Sequence, residues 1–170
     1  MRTTLERLGR LDLLIHSAAN FHRASLAETD ERLWEDALNV NARAGLLLAR
    51  EAAAELTRRE GRIVLISDLM AARPPRNYLA HAVSKAATEG LVRALAVELA
   101  PRVTVNGIAP GAVLVPEGTS QEQSSLYARK TLLQRLGDPA DVAQAVLFFC
   151  AGPSFVTGLI LKVDGGQSLR

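Results

Sequence analysis

The chain has 170 residues, 48% of them apolar and 22% charged, with a net charge of +2. That balance describes a globular chain with enough apolar mass for one hydrophobic core, and it excludes a disordered or fibrous protein. No apolar run is long enough to span a bilayer, no basic run forms a nucleic-acid footprint, and a single cysteine, Cys150, excludes an internal disulfide and a cysteine-based metal site.

The first segment, "RTTLERLGRLD", lacks the apolar core of a signal peptide, so a cytoplasmic protein is expected. "LDLLIHSAA" (Leu11–Ala19) holds a compact apolar run that predicts a buried strand. Thr29 is placed to cap a helix whose first turn carries Asp30 and Glu31, where acidic groups meet the positive helix end. Helical spacing continues to about Arg59, with a break near Asn39–Asn41, and Gly61 ends it. "RIVLIS" (Arg62–Ser67) predicts a second buried strand. Pro74 and Pro75 make the next stretch a loop. A long helix is expected from about Tyr78 to Ala100, stopped by Pro101, followed by a third strand, "RVTVNGI" (Arg102–Ile108). Residues from Ala109 to about Gln123 read as one long connection, a length that suggests a binding loop or lid. Asp138, with Pro139 at the first helical position, opens a helix ending near Gly152. Cys150 lies within it among apolar neighbours and reads as a buried, inert thiol. "LILKV" (Leu159–Val163) is the last strand.

Strands alternating with helices require parallel pairing with helical crossovers, so an α/β fold with helices on both faces of the sheet follows. Residues 1–170 are expected to form one domain. Ligands of such sheets sit beyond the carboxyl ends of the strands. Candidate positions are therefore Ala18 to Phe21, Ser67 and Asp68, Ala109 to Pro116, and Asp164 to Gly166.

Over nearly its whole length the chain resembles the short-chain dehydrogenase/reductase family. "LLIHSAAN" stands where the family has Asn-Asn-Ala-Gly after its fourth strand. "NVNARAG" carries the helix asparagine at Asn41, and "RIVLISD" is similar to the strand leading to the catalytic serine. "HAVSKAA" resembles the Tyr-x-x-x-Lys helix, with Lys85 kept and His81 in place of tyrosine. "VTVNGIAPGAV" and "FVTGLILKVDGG" resemble the Pro-Gly loop and the final strand. The resemblance implies a partial Rossmann-type doubly wound sheet, the equivalents of strands 4 to 7. The family's glycine-rich Gly-x-x-x-Gly-x-Gly turn, and with it the adenine and pyrophosphate sites, has no counterpart in this sequence. The expectation is of a truncated domain whose first strand, Leu13-Leu14-Ile15, is left as a bare apolar edge. Asp68 in the serine position, "PGAVLVPE", and Phe21 after the first strand further resemble the pteridine-reductase branch.

The resemblance also implies roles. Lys85 would bind the nicotinamide ribose of NADP or NAD, and Ala18, Ala19, Pro110, Gly111 and Val113 would line the cofactor. Asn41 would hold a proton-relay water, and Phe21 would stack on substrate. The residues allow blander readings. Aspartate in a loop often caps a turn, Asn41 can be an incidental polar residue at a kink, and Phe21 can merely cover the sheet end. Gly165 and Gly166 read as structural. His81 is either a substituted proton donor or the mark of a degenerate site. The charge of Lys85 favours its neutral ring, whereas a carboxylate at Asp68 favours the imidazolium. Tyr78, two helical turns before Lys85, is a remoter candidate acid.

Two functions follow from different classes. One is an NAD(P)H-dependent oxidoreductase acting on a pteridine or another C=N or C=O substrate, with Lys85, His81, Asp68 and Asn41 as its catalytic group. The other is a non-catalytic truncated homologue, a degenerate α/β fold or interaction module. The partners expected are a small-molecule substrate and a second copy of the chain, paired through the two long helices, with no nucleic acid, membrane or metal.

Overall fold

The computed structural model describes residues 1–115 and 118–170. Its elements are α1 (Arg2–Leu8), β1 (Leu13–His16), α2 (Glu31–Leu38), α3 (Ala44–Arg59), β2 (Arg62–Ile66), α4 (Leu79–Glu98), β3 (Thr104–Pro110), α5 (Gln121–Arg129), α6 (Pro139–Ala151) and β4 (Ile160–Val163). The four strands form one parallel sheet in the order β1-β2-β3-β4. Each crossover contains helix, as parallel pairing requires. Among the described residues no helix is long and apolar enough to cross a membrane.

The alternating side chains of the strands split the core in two. Ile63, Leu65 and Val105 pack with Ala49, Leu56 and Val92 beneath α3 and α4. Val64 and Ile108 point the other way, onto Ala145 and Phe149 of α6. Each fully buried leucine or isoleucine here contributes about 1.5–3 kcal/mol over its exposed state. Gly61 brings α3 against β2, since a Cβ there would stand 2.6 Å from Leu56 and 2.7 Å from the Asp12 carbonyl.

Several boundaries differ from the sequence reading. Asp30, not Thr29, caps α2, its carboxylate accepting from Leu33 N at 2.8 Å. The Thr29 hydroxyl is already committed to Ser25 O, closing the turn before it. The connection expected from Ala109 is shorter. Ala109 and Pro110 still pair with Lys162 and Val163 of β4, and α5 begins at Gln121 behind a Ser120 cap. Of that connection, Pro116 and Glu117 lie outside the described residues. The break expected near Asn39–Asn41 is a widened π-helical turn, Asn39–Arg43, joining α2 to α3. Cys150 is half-buried rather than enclosed, and burial pushes its thiol up from the ordinary value. At the open side of β1, Leu13 and Ile15 remain 39% and 46% exposed, an apolar edge strand.

Candidate functional site

The carboxyl ends of β1 and β2 and the first turns of α4 bring His81, Asp68 and Asn41 into one hydrogen-bonded cluster, directly or through Ser84 and Asn20, with Lys85 buried beside it on the same helix. The π-turn has a job here. It carries Asn41, fully buried, inward at a point where a regular helix would hold its amide elsewhere. Asn41 Oδ1 accepts from Asn20 N at 2.9 Å, and its Nδ2 donates to Ser84 Oγ at 2.8 Å. The Ser84 hydroxyl donates to His81 O at 2.7 Å, and the Thr88 hydroxyl faces Asn41 O at 2.9 Å. Two segments distant in sequence, the loop at Asn20 and the π-turn at Asn41, are thereby tied to α4.

His81 is 2% exposed. Its Nδ1 lies 3.1 Å from Asn20 O and its Nε2 lies 3.3 Å from Asp68 Oδ2. A carbonyl oxygen only accepts, so Nδ1 carries a proton. Nε2 then faces the Asp68 carboxyl, and a proton on the ring or on the carboxyl would complete that bond. Asp68 is the open end of the pair, with a side chain 26% exposed. Its other oxygen accepts from Met70 N at 2.7 Å and caps the short 3-10 turn Leu69–Ala71. The capping and proton-holding readings of Asp68 are therefore compatible.

Lys85 is 3% exposed, and its Nζ donates to Ile66 O at 2.9 Å. Burial lowers the ammonium's affinity for its proton, against the opposing charge of Asp68. Its other N–H bonds have no acceptor among the described residues, a donor set that fits a ribose diol. Ser67, the residue after β2, is turned away from His81. Its hydroxyl lies against Lys85 O and Glu89, 3.2 and 3.3 Å off.

Phe21 lies edge-on to His81, ring centroids 4.6 Å apart, and 5.0 Å from the Tyr78 ring. It covers the imidazole while leaving 53% of its own surface exposed. Tyr78 stands at the N-cap of α4, with its backbone bridged to Ala24. Ala18 and Ala19 are exposed at the exit of β1. Gly111 is required by packing, since a Cβ there would approach Asp164 and Gln167 to 2.8 Å. Its N–H is held by Val163 O and that of Ala112 by Gln167 Oε1, so neither donor is left for a ligand. Val113 is half-buried against Gly137. Gly165 and Gly166 both take positive φ, in a turn whose Gly165 carbonyl accepts from Leu132 and Leu133.

Sequence reading passed over Ser84, which lies inside a quoted motif, named Asn20 only within the stretch Ala18 to Phe21, and treated His16 only as a motif position. His16 is 4% exposed, and its Nε2 has no partner among the described residues. Burial, and next the charge of Lys85, pull its titration below the ordinary value. A separate cavity of about 460 Å³ lies at the end of β4, lined by Thr131, Leu132, Arg135, Lys162 and Asp164 among others. None of the residues of the His81 cluster lines it. Among the described residues no group of histidine, cysteine or acidic side chains is arranged to hold a metal.

Comparison with known proteins matches residues 1–168 to the family described as enoyl-(acyl carrier protein) reductase. Tropinone reductase-like 3 of Erythroxylum coca is 35% identical over 176 residues, covering 99% of this chain and 67% of that protein. Pteridine reductase 1 of Leishmania tarentolae is 32% identical over 185 residues, covering 95% of this chain and 64% of that protein. The chain thus spans about two thirds of the length of these relatives. Among solved structures, an apo SCOR enzyme from Clostridium thermocellum superposes with a TM-score of 0.89 at 32% identity, over 99% of this chain and 67% of the other.

Proposed function

Because the chain belongs to the short-chain dehydrogenase/reductase family, we propose that it serves NAD(P)H-dependent reduction of a C=O or C=N bond, a pteridine among the candidate substrates. The observation that carries this reading is the pair His81–Asp68. It replaces a phenol by two hydrogen-bonding groups able to pass a proton, beside a buried lysine. The residues present fit the nicotinamide-ribose portion of the cofactor. Lys85 supplies spare N–H donors, and Ala18, Ala19 and the Pro110–Val113 turn stand at the ends of β1 and β3. When bound, the reduced cofactor supplies hydride.

The chain's own residues do the rest. Lys85 orients the ribose and adds positive charge where the substrate oxygen or nitrogen becomes negative. The proton passes from Nε2 through Asp68 Oδ2 to that atom, leaving a neutral ring beside a carboxylate. Phe21 keeps water off the imidazole and offers a flat apolar face to a ring-shaped substrate. Asn41 fixes the loop after β1 on α4, and so the acceptor for Nδ1. NADP and NAD remain equal candidates in this reading. A homo-oligomer through α3 and α4 is part of it, supported by the exposed Leu46, Leu47 and Leu48.

The test is NADPH consumption with ketones, pteridines and cyclic imines as substrates. Under this reading His81→Phe lowers turnover by about 10²–10⁴-fold, the usual worth of a positioned acid, and His81→Tyr leaves it unchanged or lower. A rise in activity with His81→Tyr would instead mark the site as degenerate.

A further inference from the structure

We propose that Asp36, a surface residue of α2, is a positioning residue for the His81–Asp68 pair and for Phe21, acting through Asn20 and His22. This rests on the reading of His81 as the proton-handling group.

Asp36 lies outside the cluster, with a side chain 50% exposed. Left alone, such a residue would be neutral to substitution. One of its oxygens, however, receives two bonds from a single short segment. Asn20 Nδ2 donates to Oδ2 at 2.6 Å, and His22 Nε2 meets the same oxygen at 3.0 Å. Residues 20 and 22 flank Phe21, so the carboxylate clamps the segment on both sides of the ring that covers His81.

The clamp reaches the imidazole through the backbone of Asn20. That residue's N–H donates to Asn41 Oδ1, and its carbonyl faces His81 Nδ1 at 3.1 Å while also accepting from Asn41 Nδ2 at 3.3 Å. Its side-chain orientation is dictated by Asp36. The opposite amide orientation would turn Oδ1 toward the carboxylate, which has no proton to offer. The cost of the observed orientation is visible: Asn20 Oδ1 is buried without a partner among the described residues. An unpaired buried acceptor is unfavourable, and a charge-assisted bond offsets it. Without the Asp36 carboxylate, the Asn20 amide gains nothing from its present position and turns to satisfy Oδ1. The Asn20 backbone, left on its two Asn41 bonds alone, then loosens its carbonyl from Nδ1, and Phe21 loses its seat. His81 is freed to adopt the other tautomer, with Nδ1 bare.

The test uses ring ¹⁵N and proton resonances of His81 in the full chain, which has three histidines. In the unmodified protein the Nδ1 proton should be protected from exchange, and rapid exchange there would already overturn the proposal. Asp36→Ala should speed that exchange by about ten-fold or more, the worth of one charge-assisted hydrogen bond. Asp36→Asn keeps an acceptor but loses the charge, and should fall between the two. Protection at His81 that is unchanged in Asp36→Ala overturns the proposal, as does a loss of global stability with the His81 signals intact. Should Asp36→Ala not fold, Asp36→Asn decides alone, and exchange equal to that of the unmodified chain sinks the idea. None of these readouts needs cofactor or turnover. A chain inactive toward NADPH can still pass this test, and an active one can fail it.

Discussion

On α4 the buried polar side chains are paired: Ser84, Thr88, Lys85 and His81 each have partners within 3.3 Å. Where β1 ends they are not. His16 Nε2 and Asn20 Oδ1 are buried with no partner among the described residues. Both regions belong to one cluster, only a few residues from Lys85 in space or bonding. The saturated side is a scaffold, fixed by a π-turn and by bonds that cross between elements. The unsaturated side stores unfavourable desolvation, and such groups in native proteins call for an explanation in function. Asp68 and Phe21, partly exposed, lie between the two.

The sharpest way to break this contrast is at Lys85. Replacing it with methionine keeps the stem and removes the charge, and should lower NADPH-dependent turnover by about two orders of magnitude or more. Fold and stability should change little or improve, because a buried ammonium is removed. Next comes the scaffold. Asn41→Ala leaves Asn20 N and Ser84 Oγ short of partners and should cost about 2–4 kcal/mol in chemical unfolding. A smaller loss would mean the side regarded as saturated is not what fixes the fold.

A third effect lies in the acid range. His16 titrates below its ordinary value in the folded chain, so as pH falls under about 6.5 the unfolded chain takes up that proton first. Stability is therefore lost as pH falls through that window, and the loss stops below the folded-state value. His16→Leu removes this contribution and should flatten the acid limb of stability. An unchanged acid limb would show that His16 is not the strained group. The smallest effect is at the open edge. Ile15→Lys should change unfolding by about 0.5 kcal/mol or less and should reduce self-association in sedimentation, if any is present before substitution.

Much of this was legible in the residues. The strands are short apolar runs bounded by glycine and polar residues, and the chain order of β1 to β4 follows from alternation with helices. The resemblance set Asp68 in the family's serine position and His81 in its tyrosine position, a pair that the fold does bring together. Asn41 was legible as a break because asparagine is a poor helix former. Hydrogen-bond direction was not legible. Nothing in "SAAN" says that the carbonyl of Asn20 faces His81, since backbone groups leave no trace in side-chain identity. Asp36 was invisible for the related reason that an acidic residue on an exposed helix face is ordinary. Its meaning lies in a contact to a loop fourteen to sixteen residues away. Thr29 was misread because Thr29 and Asp30 are both good caps, and the preceding turn at Ser25 decides between them.

The most direct measurement for the central claim, that α4 carries a nicotinamide-cofactor site built on Lys85, is titration of NADPH. Cofactor emission and Trp34 quenching are followed in parallel for the unmodified chain and for Lys85→Met. Saturable binding by the unmodified chain, weakened about ten-fold or more in Lys85→Met, is the predicted result. No saturation up to millimolar cofactor, or equal binding by both chains, contradicts it.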